Sequence, residues 1–201
     1  MGTIAFGALA GGIGSELTGG NFWQGAVIGG IVAGLNHAMH RIGTKSIAEK
    51  ELHAVGVKDV NATAPNTQES LDMVLSTDTL SSMHKKSGNV PIGYGKTNQS
   101  NRLGETNDKT GNIILNKSKT FSYFKLYQTV GHELVHSIDF INETAKSIFN
   151  SYLKFYKNDQ KPANIYYREA LEFRAYQWEI TFAPSALSKQ WYNYYKVKNN
   201  W

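Results

Sequence analysis

The chain has 201 residues, 41% of them hydrophobic and 18% charged, which suits one globular domain plus a tail or linker and excludes a disordered chain. It has no cysteine, so disulfides, a thiolate metal site and a cysteine nucleophile are all excluded, and any metal site must use His, Glu or Asp. The formal net charge of +5, from 21 Lys and Arg against 16 Asp and Glu, is mild and spread without a dense basic run, so nucleic acid is not an expected partner.

In chain order, residues 1–43 come first and hold 12 of the 19 glycines. Glycine costs roughly 1 kcal/mol per helical position relative to alanine, so helices here need close packing to form. Gly25, Gly29 and Ala33 recur every four positions and would admit such packing. The segment reads as a helical hairpin or linker that depends on a partner. No basic stretch precedes its apolar part, so no secretory signal is expected. Its most apolar run, Ala26 to Leu35, is too short to span a bilayer, and no stable membrane span is expected.

Residues 44–201 form the expected domain. Gln68 to Leu75 reads as a short helix, with Leu71, Val74 and Leu75 on one face. Ser87 to Gly111, rich in Gly, Asn, Ser and Thr, reads as loop. Gly111 to Asn116 reads as a short strand between turn formers. From Phe121 to about Phe140 the period is helical: Tyr123, Tyr127, Val130, Leu134, Ile138 and Ile141 line an apolar face. Lys125, Gln128, Thr129, His132, His136 and Asp139 share the opposite, polar face. Ile165 to Ile180 reads as another helix. Ser185 to Lys198 is a last amphipathic segment whose Leu187, Trp191, Tyr194 and Tyr195 are expected to pack in the core.

The chemistry lies in Gly131-His132-Glu133-Leu134-Val135-His136, which fits H-E-x-x-H. Histidines four apart on a helix stack on one face and can approach one ion. Glu133, about 100° around the helix from His132, is free to hold a water as general base. This points to zinc held by His132 and His136, with a third protein ligand still needed. Glu172 is favoured for that role and Glu169, three residues earlier, is next. Asp139 is poorly placed to ligate; it reads equally well as an acceptor for an imidazole N–H or as an ordinary surface carboxylate. The bland alternative is a solvated helix face carrying two incidental histidines.

Two resemblances sharpen these expectations. Ala5-Phe6-Gly7 through Gly19-Gly20-Asn21-Phe22-Trp23-Gln24-Gly25-Ala26, with Gly34-Leu35-Asn36-His37, resembles the junction after the core of bacterial Rhs/YD-repeat proteins. That junction precedes a variable toxin domain, which implies a secreted effector tip delivered into a target cell. It also implies a parent Rhs repeat shell, a protein substrate and a cognate immunity protein. Separately, Glu172-Phe173-Arg174-Ala175-Tyr176 resembles the E-x-x-A-[DY] pattern carrying the third ligand in several toxin-type zincins. The order over residues 111–180, strand, H-E-x-x-H helix, Glu-bearing helix, resembles the gluzincin branch. These imply an α+β, mainly helical zincin-like metallopeptidase domain with a small β-sheet, behind the Gly-rich linker. They further imply that Ile113 to Asn116 pairs with extended substrate. Tyr176 or Tyr167 would then serve as oxyanion partner, although aromatic packing is the simpler role for both. The competing class is a non-enzymatic Gly-rich interaction or membrane-insertion protein whose H-E-x-x-H is accidental.

Overall fold

A computed structural model describes residues 45–199. The Gly-rich segment 1–43, with its small-residue recurrence and its Rhs-like junction, lies outside them. Among the described residues the chain is mixed α and β, with seven helices and two small sheets. No described helix is long and apolar enough to cross a membrane.

Three short helices come first: α1 (Ile47–Ala54), α2 (Gln68–Leu75) and α3 (Asp78–Lys86). Ser46 starts α1 with a capping box, its side chain accepting from Glu49 N–H while Glu49 takes the Ser46 N–H at 2.6 Å. Strand β1 (Thr63–Ala64) lies between α1 and α2 and pairs with β5 (Phe121–Ser122). The second sheet contains β2 (Ile92–Gly95), β3 (Gly104–Thr106) and β4 (Ile113–Asn116). Then follow α4 (Tyr123–Ile141), α5 (Thr144–Phe155), α6 (Gln160–Phe182) and α7 (Ala186–Lys198).

The helix α4, about 28 Å long, is the axis of the fold. Leu126, Tyr127, Val130 and Leu134 are fully buried on its apolar side against Leu52 of α1, Leu71 and Val74 of α2, Leu80 of α3, and Ile113 and Leu115 of β4. Burying each such side chain is worth roughly 1.5–3 kcal/mol, so this face anchors the helix. Its beginning is set by Ser122, whose side chain accepts from Lys125 N–H. Phe121, expected in the helix, is therefore in β5.

The opposite face is not open to solvent. Of the side chains expected on a polar surface, His132, His136 and Asp139 meet side chains of α6, and Gln128 and Asp139 are each 1% exposed. The helices α4 and α6 approach closely at Gly131, where a Cβ would fall 1.8 Å from the Trp178 ring. Only glycine permits that approach.

Two expectations about strands need correction. The stretch 87–111 is not all loop, since it contains β2 and β3. Both are short and rich in glycine, and one glycine has a clear reason: a Cβ on Gly95 would lie 2.9 Å from Ile114 of β4. Strand β4, the expected partner for substrate, is central, with β2 parallel on one side and β3 antiparallel on the other. Its hydrogen-bonding edges are already used, so it cannot take a further strand. The outer edges belong to β2 and β3, and β3 is the edge strand beside the site residues, with Gly104 next to Glu133.

Candidate metal and catalytic site

Helical spacing does the first part of the assembly. His132 and His136, one turn apart on α4, place their Nε2 atoms 3.2 Å from each other. The helix α6 runs past them and adds Glu172, with Oε2 3.5 Å from His132 Nε2 and Oε1 3.7 Å from His136 Nε2. One ligand atom from each of the three lies within 4.8 Å of the others, so together they form a group able to hold a metal ion. The two rings are largely buried, with side-chain exposures of 13% and 10%. A solvated face carrying incidental histidines does not describe this arrangement.

Glu169, the other carboxylate considered, does not join the group and instead pairs with Lys198 of α7. Asp139 fits neither expectation. It is buried and accepts two hydrogen bonds from Arg174, at 2.8 and 2.9 Å, a fork pairing that ties α4 to α6. The imidazole acceptor is a different residue, Glu179. Its Oε1 lies 2.6 Å from His132 Nδ1, and its side chain is 7% exposed. With Nδ1–H donating there, neutral His132 turns the lone pair of Nε2 toward His136 and Glu172. Helical period could have found this residue, because Glu179 is seven positions after Glu172 and so two turns along the same face.

His136 has no such anchor. Its Nδ1 is buried with no hydrogen-bond partner among the described residues, and Phe140 stacks on the ring at 6.5 Å.

Glu133 is buried and points toward β3. Thr106 Oγ1 lies 2.7 Å from Glu133 Oε2 and 3.0 Å from its backbone carbonyl, so the one hydroxyl proton can steady either oxygen. Gly104 leaves space for the carboxylate: a Cβ there would fall 2.9 Å from Glu133 Cγ and 3.1 Å from Oε1. Neither β3 residue carries a local sequence signal, since its role depends on strand pairing across the sheet.

The charges are strongly linked. Burial disfavours protonated His132, but hydrogen bonds to Glu172 and Glu179 outweigh it and hold the ring well above its ordinary range. Burial likewise opposes ionised Glu172, yet His132 and His136 pull its carboxyl down to about 2. Tyr176, whose ring meets His132 edge-on at 5.0 Å, is held neutral by burial and by the carboxylates of Glu172 and Glu179. Tyr167 packs against Phe149 at 5.5 Å and lines the groove along with Arg168.

The site opens into a groove of about 970 Å³. On one side runs β3, whose ladder can be read from two flanking bonds, Asn116 N–H to Leu103 O at 2.8 Å and Asn107 N–H to Asn112 O at 2.9 Å. In an antiparallel pair these alternate. Glu105 therefore turns its N–H and C=O to β4, while those of Gly104 and Thr106 face the free edge. No family model matches the chain, and no curated protein or solved structure matches it either.

Proposed function

We propose that the chain is a zinc-dependent metallopeptidase, with His132, His136 and Glu172 as metal ligands and Glu133 as general base. The observation that carries this reading is the close grouping of donor atoms from the three residues. Zinc bonds of roughly 2.0–2.2 Å in a tetrahedron separate ligand atoms by about 3.3 Å. Here the imidazole Nε2 atoms are 3.2 Å apart, His132 Nε2 is 3.5 Å from Glu172 Oε2 and His136 Nε2 is 3.7 Å from Glu172 Oε1, and one donor atom from each residue lies within 4.8 Å of the others. Two imidazoles and one carboxylate, without cysteine, also form the donor set of a hydrolytic rather than a structural zinc site.

A zinc ion there supplies Lewis acidity to a peptide carbonyl and acidifies a water. The protein supplies the rest. Glu133, steadied by Thr106, takes the proton of the attacking water and passes it to the leaving amine. Glu179 fixes the ring of His132. Tyr176, which stays protonated, serves the developing oxyanion. An extended peptide binds along β3 through the backbone groups of Gly104 and Thr106, the role the gluzincin resemblance assigned to β4.

The Rhs-like junction extends the proposal: the domain is a toxin tip that cleaves a protein in a target cell and is held inactive in its producer by an immunity protein. The test is metal content followed by substitution. The purified chain should hold about one zinc, and Glu133→Gln should keep that zinc while losing peptide cleavage and toxicity by roughly 10²–10⁴-fold. A folded protein that takes up no zinc, or a Glu133→Gln variant of undiminished toxicity, would sink the reading.

A further inference from the structure

The groove has two unlike walls. One is β3 with the polar loop before it. The other is α7, where Leu187, Trp191 and Tyr195 line the groove at intervals of four residues and so form a single stripe. These side chains were expected in the core, but Leu187 is 52% exposed and Trp191 37% exposed. Large apolar side chains left facing a groove mark a place where something else packs.

The stripe is continuous with the metal group. Tyr176 stacks on Trp191 at 6.2 Å and on Tyr195 at 6.0 Å, while its edge meets His132 at 5.0 Å. Eight residues of helix rise about 12 Å, the length of roughly three to four extended residues. Side chains alternate along an extended chain, so about two of them would point at α7 while the backbone pairs with β3. The stripe itself carries no charge. The nearest groove lysine toward the start of α4, Lys125, already donates to Gln128 Oε1 at 2.6 Å.

We infer that α7 is the specificity wall of this site, and that it takes a large aliphatic or aromatic side chain of an extended peptide beside the scissile bond. This rests on the peptidase reading for the identity of the ligand, and binding can be measured apart from cleavage. The full chain bearing Glu133→Gln, loaded with zinc, is titrated calorimetrically with acetylated, amidated hexapeptides that differ at one central position: Phe, Leu, Ser or Asp. Phe and Leu peptides should bind about tenfold or more tighter than the Ser peptide. Adding Trp191→Ala should compress that ratio to about twofold. Leu187→Ser, at a position exposed enough to leave folding alone, should shrink it in the same direction. Val197→Ser, at an 81% exposed position outside the groove, should leave it unchanged.

Equal affinity for all four peptides, absence of binding, preference for Asp through Lys125, or a Phe preference that survives both groove substitutions each overturns the inference. If the preference and its dependence on Trp191 hold while the zinc-loaded parent chain cleaves none of the peptides, the wall stands and the peptidase reading falls.

Discussion

The two faces of α4 are buried by unlike means, and they divide the labour of the fold. One face sets Leu126, Tyr127, Val130 and Leu134 into an apolar core with α1, α2, α3 and β4. The other sets His132, His136 and Asp139 against α6 and Gln128 against the residues just after it, with a hydrogen bond or ion pair at each of the four. Gln128 donates to Ala183 O at 2.8 Å, Asp139 takes Arg174, and His132 takes Glu179. Buried polar contacts of this kind add little net stability but leave few alternative arrangements. The apolar face therefore stabilises, and the polar face specifies where α6 lies.

That contrast can be broken from either side. The largest expected effect is on the apolar face: Leu134→Ala should cost about 2–5 kcal/mol in chemical denaturation. The folded fraction should still bind zinc as the parent does; a proportionate loss of zinc affinity would mean that the faces are not separable. Next, Glu179→Gln should weaken zinc binding by about 10–100-fold and lower the unfolding midpoint of the metal-free protein less than Leu134→Ala does. A metal-free protein that unfolds much earlier would make Glu179 a stability residue instead.

The third effect concerns protons. In the metal-free protein His132 is held above its ordinary 6.5, so zinc must displace a proton from it. Apparent zinc affinity should rise with pH, by up to about tenfold per unit for one proton, and the rise should continue above pH 6.5. A flat profile across pH 6–8 would contradict the linkage. The smallest effect is expected at Gly104→Ala, which crowds Glu133 from across the groove. It should lower kcat severalfold while zinc content and KM hold, so a change in KM alone would place the effect on binding.

What the sequence made legible follows the range of the interactions. The helices α4, α6 and α7 are long and periodic, and their ends were read within a few residues, apart from the first turn of α6. By contrast α5 went unread, although Ala145, Ile148, Phe149 and Tyr152 recur on one face of it, with only Ala145 fully buried. The strands β2 and β3 carry Gly and Thr because of what lies opposite, which no local pattern reveals. The same holds within the site. His132 and His136 announce themselves by spacing on one turn, and Glu172 is brought beside them by α6. Thr106 reaches Glu133 only through the pairing of β3 with β4, and the partner of Asp139 is 35 residues away in Arg174.

The distance along the chain between the two halves of the ligand set has its own consequence. Glu172 follows His136 by 36 residues, and all of α5 lies in that excursion. An ion shared between them would act as a clasp across the excursion, removing much of the freedom that the open chain would otherwise recover. Occupancy would then be felt well away from the groove, in slower hydrogen exchange along α5 and the first turns of α6, where no ligand is touched.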